Sequence, residues 1–556
     1  MTPIIFNIKI LGNSKRIVTK FIFLIWFMIL AICSNAQTTG EWTWMNGTNT
    51  LNYLGNYGTK GVASITNKPP GVYEACEWTD KSGNFWFYGG ENNGWYDNLW
   101  KYNVATNMWT WVKGSGAVYD KQPIYGIQGL SNINNSPGER MTSQSWTDTN
   151  GNLWLYGGIS KYTPGGGEPY SDLWKYEIST NIWTWMKGDS TWTGTASYGN
   201  IGVENSSNKP PPSNEVNLTW TDNQNNLWLV DNQGCLWKYK VVTNNWIWMK
   251  GDTTGKPTFG SKGIANINNT PGSLYFSFTR WKDSKDNFWL LYNVQGGFNN
   301  SVLFKYEVVT NMWTWMWGDT TQNAQNTHYS DSLCDYKKTT IPYIREEGRA
   351  CWIDNCDNLW LIGGYGCSSS LCGDLNDLIY FDTHVSKWIR AGNDTTFYSP
   401  SVFGVMGVSS SLNKPASRAG ALPFKDINGN LWLYAGLNDN TYKYFADLWK
   451  FTMDAGCPPC ATPYTIGIEE NELSKNDITL YPNPFTNNTT LKANHYMNNA
   501  TLIIYNSIGQ KIKQIDNISG ENFTLFRDNM ANGLYFLTLT ENKINYTSKV
   551  LMLDLN

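Results

Sequence analysis

The chain has 556 residues, a net charge of −3, 16 % charged residues and 15 % aromatic residues. Such a balance gives no electrostatic basis for binding nucleic acid or an acidic membrane surface, and the length is enough for two domains.

At the start of the chain Lys9, Lys15, Arg16 and Lys20 precede an apolar run over 21–32, and Ser34, Asn35 and Ala36 follow it. A positive segment, an apolar stretch too short to span a bilayer and small residues before Gln37 predict a signal peptide over 1–36, cleaved on export. Cys33 fits a lipid acceptor poorly, because bulky Ile32 precedes it where a small residue is expected. No later segment is apolar enough to cross a membrane. In an exported chain disulfides are the first reading of the cysteines, and the nine that follow Cys33 leave at least one thiol over.

A four-step module then recurs. In its second copy the steps are Trp146-Thr147-Asp148, Asn152-Leu153-Trp154-Leu155-Tyr156-Gly157-Gly158, Asp172-Leu173-Trp174-Lys175-Tyr176 and Trp183-Thr184-Trp185-Met186. Each step is short, rich in Trp, Tyr, Val and Leu, and reads as a strand. The central tryptophans Trp86, Trp154, Trp228, Trp289, Trp360 and Trp432 lie between 61 residues (Trp228 to Trp289) and 74 residues (Trp154 to Trp228) apart. The sixth copy stops after Asp447-Leu448-Trp449-Lys450-Phe451, and its missing last strand is found near the N-terminus as Trp42-Thr43-Trp44. The expected fold class is therefore all-β: a six-bladed propeller over 37–456, closed by its own first strand.

Between the first two steps every copy places an aspartate (Asp80, Asp148, Asp222, Asp283, Asp354, Asp426), then Gly, Asn or Asp three residues on, then Asn. These types suit a tight turn with a left-handed residue. A calcium loop at Asp148 is the weaker alternative, because no acidic residue stands at the bidentate position. The turns joining strands one to two and three to four are short. The 2–3 and 4–1 connections are long, irregular and on the opposite face, which is where binding is expected. The 4–1 connections repeat an aromatic–glycine step (Tyr57, Tyr125, Tyr198, Phe259, Phe403) and then a proline, a pattern that reads as scaffold.

The paired glycines Gly89-Gly90, Gly157-Gly158 and Gly363-Gly364, the Leu-Trp-Lys-Tyr strand and the late tryptophan resemble the kelch repeat of galactose-oxidase-like propellers, from Glu41 to Gly456. Copy three departs with Val230-Asp231, and copy four with a displaced Gly296-Gly297. The resemblance implies a propeller that binds proteins or sugars, and in some members catalyses.

Cys334, Cys351, Cys356, Cys367 and Cys372 fall in copy five, where disulfides are favoured over zinc because no histidine or close Cys-x-x-Cys pair completes a set. Cys457 and Cys460 read as a staple in a linker over 457–476. Beyond it Leu480-Tyr481-Pro482-Asn483-Pro484-Phe485, Ile503-Ile504-Tyr505-Asn506 and Gly533-Leu534-Tyr535-Phe536 resemble the type A sorting domain of the type IX secretion system, over 477–556. That resemblance implies a small Ig-like β-sandwich, the secretion machinery as a partner, and a mature protein that is secreted or anchored to the outer surface of a Gram-negative bacterium.

The long-loop face supplies the candidate ligand-binding residues. Trp95, Tyr96, Tyr162, Tyr170, Phe298, Tyr365 and Tyr442 offer flat aromatic surface for a glycan or protein ligand. Arg140, Arg345 and Arg418 each follow the loop proline by three residues, with Glu139, Glu346 and Glu347 beside them. These charges would serve a sugar epimerase or lyase, although salt bridging between blades is the blander reading. His328 and His384 fall on opposite faces, so no copper site forms. No catalytic set, metal or cofactor is expected, and a binding module is favoured over an enzyme.

Overall fold

The computed structural model describes residues 40–116, 121–160, 167–192, 194–213, 215–274, 276, 279–294, 301–319, 329, 333, 340–368, 371–454, 478–506, 510–541 and 544–553. The chain divides into two compact units, 1–460 and 461–556. Residues 1–36, where a signal peptide is expected, and Cys334, Cys457 and Cys460 lie outside the described residues. Every named element among those residues is a strand, and no helix long and apolar enough to cross a membrane occurs there.

The first unit contains six four-stranded antiparallel sheets, numbered I to VI from the sequence order of their first strands. These strands are Cys76–Thr79, Gln144–Thr147, Thr219–Thr221, Thr279–Lys282, Cys351–Ile353 and Leu422–Lys425. Each touches the next, and the sixth touches the first. The core follows the same cycle. It is split into apolar clusters, each shared by two neighbouring sheets, including one between sheets VI and I.

Sheet VI shows how the cycle closes. Its order is Gly40–Thr48, Ala446–Met453, Leu431–Tyr434, Leu422–Lys425, so the N-terminal strand occupies the fourth place. Trp42 pairs with Phe451 and Trp44 with Trp449, and a bulge lies between Trp44 and Asn46. The same bulge falls beside the second tryptophan of the fourth strands in sheets I and II, where Trp111 pairs with Trp100 and Trp185 with Trp174. The N-terminal strand is thus a geometric copy of the strands it replaces.

Within each sheet the recurring residues have separate tasks. Asp148 is typical of the turn aspartates: Oδ1 accepts the amides of Asn150 and Asn152, and Oδ2 accepts the side-chain amide of Asn152 and the indole of Trp154. All its acceptor capacity is spent on the turn, so nothing is left to bind calcium. The indoles of Trp78, Trp146, Trp220, Trp281 and Trp352 each donate across a seam to a backbone carbonyl of the following sheet. Sheet VI has Phe424 in that position, stacked on Phe85 of sheet I at 4.7 Å and 14°. At this one position the seam between sheets VI and I has stacked rings in place of the indole hydrogen bond of the other five.

The 4–1 connections do not hang free. Tyr125 is clamped between Trp174 and Trp185 at 5.2 and 4.9 Å, and Phe403 between Trp449 and Trp44 at 5.2 and 4.8 Å. Gly404, next along, has φ +60°, and a Cβ there would run into the amide oxygen of Asn413. The amide of Asn413 in turn donates to the carbonyl of Trp42. Amides of Gly61, Gly129, Gly202, Gly263 and Gly407 bond the outward carbonyls of Trp111, Trp185, Trp248, Trp315 and Trp44. The fourth-strand edges of these five sheets are therefore covered by loop backbone.

In the second unit the strands Ile478–Tyr481, Asn488–Asn506, Lys511–Phe526, Gly533–Glu541 and Ile544–Met552 form one connected set, because the long second strand pairs with three of the others. Leu491, Leu502, Ile504, Leu537, Leu539 and Val550 fill its core.

Candidate functional site

The arginines picked out in the sequence are buried and paired with aspartates. Arg140 makes two bonds to Asp172, at 2.9 and 3.1 Å, and a third to the carbonyl of Gly157. Arg345 with Asp377 and Gly363, and Arg418 with Asp447 and Ala435, repeat this arrangement. Both partners of each pair are buried. Each pair lies within one repeat rather than between neighbours, because the aspartate heading strand three sits beside the end of the 4–1 connection. Burial opposes the charge on Arg140, yet Asp172 holds its pKa above the ordinary value.

Three of the aromatic candidates are also buried. Tyr170 lies under the Arg140 guanidinium at 5.0 Å, Trp95 packs with Met141 and Ile159 of the next repeat, and Tyr96 joins the core between sheets VI and I. Tyr365 is partly exposed and Tyr442 is 71 % exposed. Tyr162, Phe298 and His328 lie outside the described residues. His384 is exposed beside Asp382, in the turn between strands three and four of sheet V. The thiols of Cys76 and Cys235 are buried, and Cys351 is partly so.

A different group converges on the axis of the cycle. Glu77 of sheet I binds Arg280 of sheet IV at 3.0 Å and Arg349, just before sheet V, at 2.7 Å. These residues come from sheets on opposite sides of the cycle, so the charged bridge crosses the central channel. On the side of the bridge facing the short turns lies a cavity of about 640 Å³, lined by first-strand residues of all six sheets, among them Trp78, Trp146, Trp220 and Trp352.

On the long-loop side lies a collar. Glu74, Thr142, Glu215, Phe276, Glu347 and Gly420, which lie shortly ahead of the six first strands, all have left-handed backbone, with φ between +46° and +59°. Backbone bonds run round it, from Glu74 to Gly420, Thr142 to Glu74, Glu347 to Phe276 and Gly420 to Glu347. Five side chains held in this sparsely populated region mark strain of the kind found at ligand sites. Alternate sheets contribute a carboxylate, and the Tyr73 hydroxyl donates to Glu347 at 2.7 Å. Burial, followed by the proximity of Glu215 and Glu347, pushes the Glu74 carboxyl well above its usual range. Burial and Glu215 raise Glu347 to about 7, against the bond from Tyr73. Perturbed groups gathered in this way are candidates for function.

The acidic surface continues outward over sheets V and VI. A three-stranded sheet, Ile344–Glu346, Tyr365–Cys367 and Cys372–Asp374, is fastened by the Cys367–Cys372 disulfide. Cys356 is also disulfide-bonded. Asp374 is buried, accepts the amide of Asp439, and is raised by burial to about 7. Tyr365, Tyr398, Glu346 and Asp439 stand around it.

Sequence reasoning reached Glu347 but passed over Tyr73, Glu74 and Glu215. One signal was available: counted from the loop prolines Pro69, Pro137, Pro210, Pro271, Pro342 and Pro415, the collar residue is always the fifth residue on.

In the second unit Tyr481 is 82 % exposed, Leu534 is exposed and Tyr535 is buried with its hydroxyl on the carbonyl of Ala531. Asn483 accepts the amide of Leu551, tying the Tyr481-Pro482-Asn483-Pro484 segment to the last strand, and Gly533 opens the fourth. Over residues 479–553 the sequence matches the family of secretion system C-terminal sorting domains. This segment is a sorting domain. It marks the protein for export through the type IX secretion machinery, to be secreted or held at the cell surface. Removing residues 479–553 is expected to leave the protein in the periplasm; cell fractionation and surface labelling would check this, and surface recovery of the truncated chain would contradict it. No curated protein matches the chain. Among solved structures it is similar to a protein of unknown function from Bacteroides thetaiotaomicron, with 11 % identity, TM-score 0.38, and 75 % of this chain and 76 % of that one covered. It is also similar to a polysaccharide lyase of family PL25, an ulvan lyase, with 8 % identity, TM-score 0.30, and 86 % and 95 % covered.

Proposed function

We propose that the first unit is a six-bladed kelch-type propeller over 37–456, that the C-terminal unit is an Ig-like sandwich serving export, and that the mature protein is a non-enzymatic binding module. Its ligand, a glycan or a protein, engages the long-loop end. The observation that carries this reading is the collar: three carboxylates from alternate sheets meet at one end of the channel, beside the accessible aromatics Tyr365 and Phe276. Aromatic faces beside polar groups suit sugar rings and protein side chains alike. A glycan array probed with the mature chain is expected to give ligands whose binding falls about tenfold or more in Tyr365→Ala or Tyr442→Ala, a loss within the range of one interface anchor. Retention of full affinity in both variants would remove this face from consideration.

The hydrogen-bonded Tyr73–Glu347 pair favours a second reading, acid–base chemistry on a sugar by an epimerase or lyase, since Glu347 titrates near neutrality. Released products or epimers that disappear in Tyr73→Phe would establish it over the first.

A further inference from the structure

On the reading that the long-loop end binds ligand, we infer that the collar is a subsite for an amino sugar, a saccharide bearing a free, protonated primary amine. Glu74, Glu215 and Glu347 come from sheets I, III and V, so they approach the axis from three directions. Glu74 is fully buried and neither of its carboxylate oxygens has a hydrogen-bond partner. The nearest hydroxyl, on Tyr73, is committed to Glu347. A carboxylate buried without a donor costs several kcal/mol, and a cation placed beside it removes that cost.

The cations already present satisfy it only in part, since Arg349 favours the charged form of Glu74 but burial still holds its pKa high. Arg280 and Arg349 are both held by Glu77, and they also donate to the carbonyls of Asn217 and Ala75. Glu346 and Asp439 stand near Glu347 and add charge of the same sign. Glu74, Glu77, Glu215 and Glu347 therefore outnumber the two guanidiniums set among them.

The choice of cation follows from spacing and surroundings. No group of three or more His, Cys, Asp or Glu among the described residues is placed to hold a metal ion. A bare ion needs oxygens at about 2.3–2.6 Å, whereas an ammonium reaches acceptors at about 2.8 Å through three separate donors. Three donors match carboxylates arriving from three sides. Phe276, on the same collar, is 40 % exposed, and the ring of Tyr73 fills the space beside Gly420. A pyranose carrying an amine offers both the cation and a flat C–H face for these rings, whereas a lysine side chain offers the cation on a flexible stem.

Titration calorimetry of the mature protein with three probes tests this: a glucosamine tetramer with free amines, its fully N-acetylated counterpart, and tetralysine. The amine tetramer is expected to bind at least about tenfold tighter than either of the others, the worth of one charge-assisted hydrogen bond. Glu215→Gln, at a partly exposed position, is expected to weaken the tetramer by about the same factor with no change in melting temperature. Equal binding of the acetylated sugar, tighter binding of tetralysine, or an unaltered Glu215→Gln variant would each overturn the inference. If that variant fails to fold, the comparison of free and acetylated sugar on the native protein still decides. Neutral glycans that depend on Tyr365 and Tyr442 would leave the binding reading standing while the collar inference fell; absence of any glycan or protein ligand would end both.

Discussion

A mature chain lacking the strand Gly40–Thr48 is expected to lose the cooperative fold of its first unit. The deletion removes more than one edge. Trp42 is buried in the cluster between sheets V and VI, Trp44 clamps Phe403, and the side-chain amide of Asn46 donates to both oxygens of Asn107 in sheet I. Loss of a buried tryptophan alone costs about 3–5 kcal/mol. Because each core cluster is shared by two sheets, that cost propagates to both neighbours of sheet VI. The strand Ala446–Met453 would also be left with an unpaired edge, which favours aggregation. Thermal unfolding should show a drop on the order of 10 °C or more, taking about 2–4 °C per kcal/mol. A truncated protein that melts with the full-length one would show that the strand is an ornament.

The second large effect is expected at Asp172. It holds Arg140 by two bonds and also accepts the hydroxyl of Tyr125 and the indole of Trp174. Asp172→Ala leaves a buried guanidinium without its counter-charge, a loss of about 3–5 kcal/mol. Asp447→Ala in sheet VI should behave alike, since Asp447 holds Arg418 and the indole of Trp449. The measurement is chemical denaturation alongside ligand titration. If Arg140→Ala destroyed ligand binding while leaving stability untouched, the arginines would have to be restored to the binding face.

Those arginines show where sequence reading reaches its limit. The repeat announced the sheets and the closing strand because each copy restates the same local chemistry: an aspartate that caps a turn and holds the next tryptophan reads the same six times. What a 2–3 loop does depends instead on the sheet beside it. Trp95 and Tyr170 looked exposed because they sit in irregular segments, yet the segments fold back, and each ring covers residues that no local pattern ties to it. The collar was obscured for a related reason. Glu74, Glu215 and Glu347 are far apart in the chain, and only closure of the cycle brings them to one axis. Glu347 was noticed for the arginine two residues before it and not for the company it keeps.

The loops that cover the outer edges matter once such a protein is displayed in quantity. If copies held at a bacterial surface touch edge to edge, a bare outer strand would let one copy add to the next and grow a lateral fibre. Here the carbonyls of Trp111, Trp185, Trp248, Trp315 and Trp44 are already taken by amides of the same chain. Along those five edges, collisions between neighbours are left to side chains such as Ile65, Ile127 and Val405, which are exposed on the covering loops. The stickiness of these edges is thereby set residue by residue, open to adjustment by single substitutions without disturbing a hydrogen bond of the scaffold.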